Sequence, residues 1–251
     1  MNVRLAPRPG ISPVLVAGIG LLVAAAWAGL WLWGQSPEAR FLHHGSAGAA
    51  AAVEIGLFVA GWAVMVTAMM LPTSLPLVTT FAAVVARRPR PNVLVGLVVG
   101  GYLATWVAFG AALYLGDRLL HAVVEATPWL ADNPQLIAGG TLIVAGAYQF
   151  SSLKYRCLDA CRSPLGFVVG RWHGERPRLD AVRIGVDHGL FCLGCCWSLM
   201  LVMFGLGLGS LAWMLALGTL MALEKNAPIG RRLGRPVGAV LLLAGLATLA
   251  G

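Results

Sequence analysis

Charge is what this sequence has least of. Charged residues make up 11% of the 251 positions and hydrophobic residues 59%, whereas soluble domains carry about 25% charged residues. So little polar surface cannot cover a water-soluble core, which excludes an ordinary soluble protein and favours lipid as the solvent. Acidic residues are scarcest, 10 against 18 Lys and Arg. The basic residues lie in short connections between apolar runs, so they indicate membrane topology and not a nucleic-acid partner.

Several catalytic and nucleotide-binding patterns are also missing. The sequence has no P-loop, no Ser-His-Asp order and no paired carboxylates within an apolar run. Gly205, Gly207 and Gly209 lack the strand–turn–helix context of a dinucleotide site. Any transport would therefore be passive, exchange-driven or partner-driven. These absences favour a binding or transfer protein over an enzyme, but they do not exclude an enzyme.

What the sequence has instead is apolar runs of membrane-spanning length. They lie at residues 13–33, 55–80, 93–115, 135–153, 184–204, 210–223 and 236–250. We therefore expect an all-α integral membrane protein, a bundle of about seven transmembrane helices in one domain over residues 1–251. The first run, within 1–33, is too long for a typical cleavable signal peptide and is expected to be retained. A core at 55–226 would then be followed by a last span at 236–250.

The distribution of Lys and Arg predicts the orientation of these spans. The connections that would share one side carry 16 of the 18 basic residues, and only Arg40 and Arg118 fall on the other side. The positive-inside rule then places the N-terminus in the cytoplasm and the C-terminus outside. The connection at 116–134 has helical apolar spacing and is predicted to be a short interfacial helix. The apolar segment 165–172 is expected to dip into the interface or pack under the bundle.

Cysteine is absent from the first half of the chain. The five cysteines form two groups: Cys157, Cys161, Cys192, Cys195 and Cys196. At 3.6 residues per turn, His188, Cys192 and either Cys195 or Cys196 share one face of the fifth span. The predicted orientation brings both groups to the cytoplasmic side. Thiolate and imidazole suit Cu(I) or Zn(II) and do not suit Mg²⁺ or Ca²⁺, which prefer oxygen.

Two further features are predicted to lie in the cytoplasmic half of the membrane, close to the cysteines. Met69 and Met70 on the second span precede prolines, and prolines leave backbone carbonyls without helical donors. Such carbonyls are tolerated within a membrane only where other protein groups or a cavity satisfy them. Thioethers favour Cu(I) over Zn(II). Glu224 ends the sixth span, where a carboxylate opposes the helix dipole and needs a partner. Lys225, a loop arginine or a bound cation could supply it.

Each of these residues also has an ordinary packing explanation. Cysteine behaves as a small hydrophobe, methionine fills gaps in apolar cores, and Glu224 could snorkel to the interface. Three cysteines within five positions, one turn after His188, favour metal or redox chemistry over packing, because ionisable groups within a membrane are costly. Asp187 could pair with Arg183 one turn away. Gly96 and Gly100 fit close helix packing.

These motifs resemble those of one bacterial family of predicted metal-binding integral membrane proteins, domain of unknown function 2182, in which some members are labelled copper-chaperone-like. The residues that carry the resemblance are Met69-Met70-Leu71-Pro72, Lys154-x-x-Cys157-Leu158-x-x-Cys161-Arg162-x-Pro164, His188-Gly189-Leu190-Phe191-Cys192-Leu193-Gly194-Cys195-Cys196-Trp197 and Glu224-Lys225. The resemblance covers the second to the sixth span. It implies a multi-pass protein of the bacterial cytoplasmic membrane that binds a metal ion.

The leading hypothesis is a membrane protein that handles copper as Cu(I), with zinc as the less favoured ion. The candidate ligands are Cys157, Cys161, His188, Cys192, Cys195, Cys196, Met69, Met70 and Glu224. The ion would be captured and handed to a partner protein, or passed across the lipid bilayer. One alternative is a membrane thiol–disulfide oxidoreductase that uses Cys192 and Cys195 with Cys157 and Cys161. Cysteines facing a reducing cytoplasm argue against it. A structural subunit of a membrane complex is the other alternative.

Overall fold

The computed structural model describes residues 13–35, 51–206 and 210–250, and the side chains of 51, 52 and 204–206 are outside that description. These ranges are helical, with no β-strand among them. The helices are α1 Pro13–Gly34, α2 Ala51–Met69, α3 Leu75–Val85, α4 Pro91–Ala126, α5 Pro128–Ala131, α6 Pro134–Tyr148, α7 Ser152–Cys161, α8 Pro164–Val169, α9 Pro177–Leu206, α10 Leu211–Asn226 and α11 Gly230–Ala250. A 3₁₀ turn at Pro72–Ser74 separates α2 from α3.

Several of these helices are long and apolar enough to cross a membrane. Among the described residues, α1, α4, α9 and α11 meet this condition singly. The pairs α2–α3, bent by 45°, and α6–α7, bent by 65°, raise the number to 6 if each pair is one span. The predicted sixth span, α10, has 16 residues. Its length is about 24 Å at 1.5 Å per residue, against a hydrocarbon core of about 30 Å. An all-helical, membrane-type fold is confirmed, while seven spans and the orientation of the termini stay predictions.

The bend between α2 and α3 is stabilised by side chains of the protein itself. Proline at positions 72 and 76 removes backbone donors and leaves carbonyls of the preceding turn without helical partners. The Met70 carbonyl accepts hydrogen bonds from the Tyr102 hydroxyl at 3.0 Å and the Thr73 hydroxyl at 2.8 Å. The Leu71 carbonyl accepts one from the Ser74 hydroxyl at 2.8 Å. The Met70 and Leu71 carbonyls at the bend are thus satisfied inside the protein, as a break at membrane depth requires.

Two expectations for the connections have different outcomes. The separate interfacial helix predicted at 116–134 is wrong, because α4 continues without a break to Ala126 and only the four-residue α5 follows. Helical apolar spacing cannot show whether a helix is new or continues the one before. The apolar segment 165–172 contains α8, whose Phe167 and Val168 are buried against the bundle. The segment with Gly205, Gly207 and Gly209, which the sequence predicts to be a turn between the fifth and sixth spans, lies mainly at 207–209, outside the described residues.

Helix α9 lies at the centre of the bundle, packed against α4, α6 and α7. Its close approach to α4 depends on Gly101 and Gly185, since a Cβ at Gly101 would lie 2.6 Å from the Val182 carbonyl oxygen. The expectation for Gly96 and Gly100 is wrong, because a Cβ at either position would meet nothing within 4 Å. Glycine spacing indicated the correct helix but not the face that packs.

The basic connections meet at one end of the bundle, which we call the basic end. Between α3 and α4, Arg88 lies with its guanidinium 6.0 Å from the ring centre of Trp172, in the connection before α9. Arg162, after α7, donates to the Glu224 carbonyl oxygen at 2.6 Å. Arg231 on α11 pairs with Asp159 on α7 at 2.7 Å. Connections that the charge pattern grouped together are therefore neighbours in space.

Candidate metal centre

Buried apolar residues form two separate cores, and sulfur is confined to one of them. The first, which we call the sulfur core, has 22 buried residues, of which half are Met or Cys. Its sulfur-bearing members are Met65, Met69, Met70, Cys157, Cys192, Cys195, Cys196, Met200, Met203, Met214 and Met221, and Cys161 packs against them. The second core has 13 buried residues, Leu71 before the 3₁₀ turn and the others from α1, α3, α4, α8 and α9, and none contains sulfur. Every methionine and cysteine among the described residues thus belongs to one core.

The three cysteines of α9 are buried at the middle of this helix. Cys192, Cys195 and Cys196 are each 1% exposed. The thiols of Cys195 and Cys196 donate to the Cys192 carbonyl oxygen at 3.0 and 2.9 Å. These are local bonds of a side chain to its own helix, which a rotation about one side-chain torsion breaks. The thiols are therefore able to turn toward a ligand without movement of the backbone.

The bent helix α7 brings the other two cysteines onto α9. The sulfur of Cys157 lies against Gly194, where an added Cβ would be only 2.5 Å from it. Cys161 packs against the sulfur core, which contains Cys192, Cys195 and Cys196. All five cysteines are free thiols, and the two remote stretches of sequence are in contact.

Cys192 is surrounded by polar groups from three other elements. The ammonium of Lys225, at the end of α10, lies 2.9 Å from the Cys192 sulfur. It also donates to the Thr73 hydroxyl at 3.2 Å and lies 3.8 Å from the Met70 sulfur. The Tyr102 hydroxyl lies 3.1 Å from the Cys192 sulfur. Lys225 is 5% exposed, so a buried cation is already placed between a thiol and a thioether.

Glu224 is paired with Lys154, which the sequence indicated only as one of the basic residues that predict membrane orientation. Lys154, 0% exposed, donates to both Glu224 carboxylate oxygens at 2.8 Å. Lys154 also donates to the Gln149 amide oxygen, and Gln149 donates to Ser198 on α9 at 3.2 Å. Of the partners expected for Glu224, Lys225 points away to Cys192. The sequence feature that could have indicated this role is the position of Lys154, one turn before Cys157.

Lys154 and Tyr102 are the site residues that sequence reasoning missed. Tyr102 lies within an apolar run of α4 and carried no signal of its own. The expected pairing of Asp187 with Arg183 is also wrong, because Asp187 accepts from Arg171 at 2.8 Å. In an isolated helix, an aspartate normally pairs with a basic residue one turn away. Here Arg171, in the segment before α9, pairs with Asp187 instead.

His188 is buried one turn from Cys192, at 3% exposure. Its ring stacks on Tyr102 at 5.5 Å between centres and meets Phe167 edge-on at 5.5 Å. Its Nδ1 atom has no hydrogen-bond partner among the described residues. A buried imidazole nitrogen without a partner is costly in an apolar setting. His188 lies beside the thiols with a nitrogen available to a ligand.

Among the described residues, no three Cys, His, Asp or Glu side chains are already arranged around one point as metal ligands. Met69 and Met70 are buried at 3% and 0% exposure, and Met70 reaches the Lys225 ammonium that also contacts Cys192. The structure thus brings thiols, thioethers and an imidazole together in one buried region. Glu224, by contrast, is directed into its ion pair with Lys154.

Comparison with known proteins gives one positive result. No curated protein and no solved structure matches the chain. A family model, PpoB2, described as "Copper chaperone", matches residues 59–248. The match includes both cysteine groups, the bend after Met70 and the end of α10. This chain therefore belongs to the PpoB2 copper-chaperone family.

Proposed function

We propose that this protein is embedded in the bacterial cytoplasmic membrane and binds Cu(I) at the thiols of Cys161, Cys192, Cys195 and Cys196, to hand the ion to a partner protein. The observation that supports this most is the meeting of α7 and α9, because it packs Cys161 against the sulfur core that contains Cys192, Cys195 and Cys196. Membership of a copper-chaperone family supports copper as the ion. The excess of basic residues at the basic end supports a cytoplasmic position for the thiols.

The chemistry of the donors favours Cu(I) over Zn(II). Cu(I) accepts two or three soft ligands, whereas structural Zn(II) takes four in a tetrahedron. The surroundings contain thiols and thioethers but few oxygen ligands, since Glu224 is committed to Lys154. Rotation of Cys195 and Cys196 away from the Cys192 carbonyl would direct their sulfurs toward the Cys161 side. Each thiol that binds the ion releases its proton.

The neighbours of the thiols fit a supporting role. Lys225 supplies positive charge beside Cys192, which balances a thiolate inside an apolar core. His188 is a further candidate ligand through its unpartnered Nδ1 atom. Cys157 and Met70 lie at the edge of the thiol group and are available as ligands during transfer. Met69 lies against Gly218 of α10 and belongs with the other thioethers.

The alternative of a thiol–disulfide oxidoreductase has less support. Such an enzyme needs a nucleophilic thiol that a protein substrate can reach. Cys192 and Cys195 are each 1% exposed and lie mid-helix. No observation favours the structural-subunit alternative.

Anaerobic titration of the purified chain with Cu(I) in lipid nanodiscs tests the proposal. The thiolate-to-copper charge-transfer absorption counts ions on sulfur, and a Cu(I) chelator in competition gives the affinity. We expect the double variant Cys192→Ser/Cys195→Ser to lose this absorption. We expect its affinity to fall by at least about 100-fold, since changes outside the ligand shell alone cost 10–100-fold.

Leu190→Ala is the matched control, because Leu190 lies on the same helix, 53% exposed and away from the buried thiols, and contains no sulfur. This variant should bind Cu(I) as the unsubstituted chain does. Unchanged stoichiometry and absorption in the double cysteine variant would contradict the proposal.

A further inference from the structure

The segregation of sulfur between the two cores is stronger than gap filling predicts. Methionine adapts to irregular spaces in any apolar core, so packing alone would distribute it between both. The sulfur core instead contains all seven methionines of the described residues, at 0–3% exposure, and the second core contains none. The two cores belong to the same bundle, and α4 and α9 contribute residues to both. Their difference calls for a chemical explanation.

The sulfurs continue along α9 away from the thiols. Cys192, Cys196, Met200 and Met203 are spaced by four, four and three residues, which places them on one helix face. Each is at most 1% exposed. From Cys192 to Met203 the helix rises about 17 Å, more than half of a hydrocarbon core of about 30 Å. A single face therefore changes from thiols to thioethers over much of the thickness of the membrane.

Helices α2 and α10 place thioethers at matching levels. Both run toward the basic end, since Met70, directly after α2, and Lys225, at the end of α10, both lie close to Cys192. Met69 lies against Gly218, where an added Cβ would be 3.2 Å from the Met69 methyl carbon. One turn before Met69 and Gly218, the same two helices carry Met65 and Met214. Both are buried in the sulfur core, at 3% and 2% exposure.

From these observations we propose a second Cu(I) site, made of thioethers alone, formed by Met65, Met203 and Met214 from three helices. Met69, Met200 and Met221 connect it to the thiols as a continuous series of soft ligands. This inference rests on the proposed function, because the thiols are where the series ends.

The chemistry gives the series a direction. A thioether is neutral and binds Cu(I) without releasing a proton, so an ion exchanges between methionines by replacement of one sulfur with the next. A thiolate adds a full negative charge and holds the cation more strongly. An ion entering at the thioether site thus moves downhill to the thiols, and no oxidation or reduction is required.

The test uses the full chain in nanodiscs, with Cu(I) alone as the probe, and the triple variant Met65→Leu/Met203→Leu/Met214→Leu. Leucine is close to methionine in volume, so the core stays filled. The unsubstituted chain should bind Cu(I) beyond the ions that give charge-transfer absorption, since thioether-bound copper lacks that band. The triple variant should lose these additional ions and retain the band. It should also develop the band more slowly, by about tenfold or more, the scale on which changes around a metal site act.

Leu77→Met/Leu94→Met/Ile184→Met, in the sulfur-free core, is the matched control for repacking and should behave as the unsubstituted chain. If the triple variant does not fold, the single variants Met203→Leu and Met214→Leu are measured in its place, and each should bind fewer band-free ions. Equal stoichiometry and loading rate in the methionine variants and the unsubstituted chain would overturn the thioether site. Absence of the band in the unsubstituted chain would instead contradict the thiol site, so the two failures are distinct.

Discussion

Gly194 separates two of the cysteine positions on α9 and lies where α7 comes nearest to this helix. Helices in membranes approach closely where a small residue removes the side chain between them. The sulfur of Cys157 occupies the space that a Cβ at Gly194 would take. A residue without a side chain is therefore what allows the Cys157–Cys161 segment to reach the cysteines of α9.

Gly194→Ala should push α7 away from α9. Overpacking of this kind costs about 1–3 kcal/mol of unfolding free energy, and the Cu(I) affinity should fall with it. Reversible unfolding in mixed micelles, with Cu(I) titration of the same samples, measures both effects. Gly140→Ala on α6 is the control, because its Cβ would meet nothing within 4 Å and alanine is the better helix former. Equal stability and affinity in both variants would show that the close approach is not needed.

At the scale of single residues, spacing alone identified His188 and the cysteines of α9 as neighbours, because helical periodicity is local information. Lys154 was assigned to topology, since a lysine near the end of a span is normally solvated. Its burial depends on Glu224, 70 residues later, and on the bend before α7. The contribution of Tyr102 depends likewise on the packing of α4 against α9. Contacts across the bundle of this kind leave no periodic signal in the sequence.

At the scale of helices, the bent pair α6–α7 holds two of the five thiols, those of Cys157 and Cys161, in place through one ion pair. Lys154 on α7 and Glu224 on α10 are 0% and 2% exposed, and the pair is joined by Gln149 at the bend. The adjoining Lys225 projects to Cys192. The end of α10 is thus fixed between α7 and α9 by two buried lysines with different partners.

Lys154→Met should leave the Glu224 carboxylate buried without a partner and destabilise the protein by about 3–5 kcal/mol. The double variant Lys154→Met/Glu224→Met should recover most of this loss, because two apolar side chains replace the pair. A double-mutant cycle of unfolding free energies measures the coupling. Arg231→Ala is the control, since the Arg231–Asp159 pair is 57% and 45% exposed and such pairs contribute about 0–1 kcal/mol. Additive effects of the two single substitutions would contradict a coupled pair.

The helices themselves were largely predictable, and their ends were not. Long apolar runs identified α1, α4, α9 and α11 because lipid imposes a minimum length. The breaks after Met70 and Tyr148 divide two predicted spans, and their angles of 45° and 65° depend on tertiary hydrogen bonds. Prolines indicated the first break. The second has no proline, so the sequence offered no comparable signal.

At the scale of the whole molecule, three connections rich in Lys and Arg lie at the basic end. Acidic residues lie at the other end of α4, at Asp117 and Glu125, and in the connection to α6, at Asp132. The positive-inside rule predicts that the basic end faces the cytoplasm. The proposed thiol site would then be loaded or unloaded from the cytoplasmic half of the membrane.

Labelling of intact bacterial cells with a membrane-impermeant maleimide tests this orientation. Asp132→Cys should react in intact cells, and Arg88→Cys only after permeabilisation. The unsubstituted chain gives the background, which should be low because four of its five cysteines are buried. The reverse pattern of labelling would invert the orientation and place the thiols on the outer side.

The burial of the thiols also governs how fast copper could be exchanged. A bulky chelator or a folded acceptor has no direct access to sulfurs at 1% exposure. The ion can leave only when the helices open or when a partner protein inserts a flexible thiol that takes the ion. The residence time of the ion is therefore not set by the strength of the copper–sulfur bonds alone. Short competition assays would therefore report slow release and not affinity. An equilibrium constant requires incubations long enough that copper-loaded protein mixed with free chelator and copper-free protein mixed with loaded chelator reach the same copper distribution.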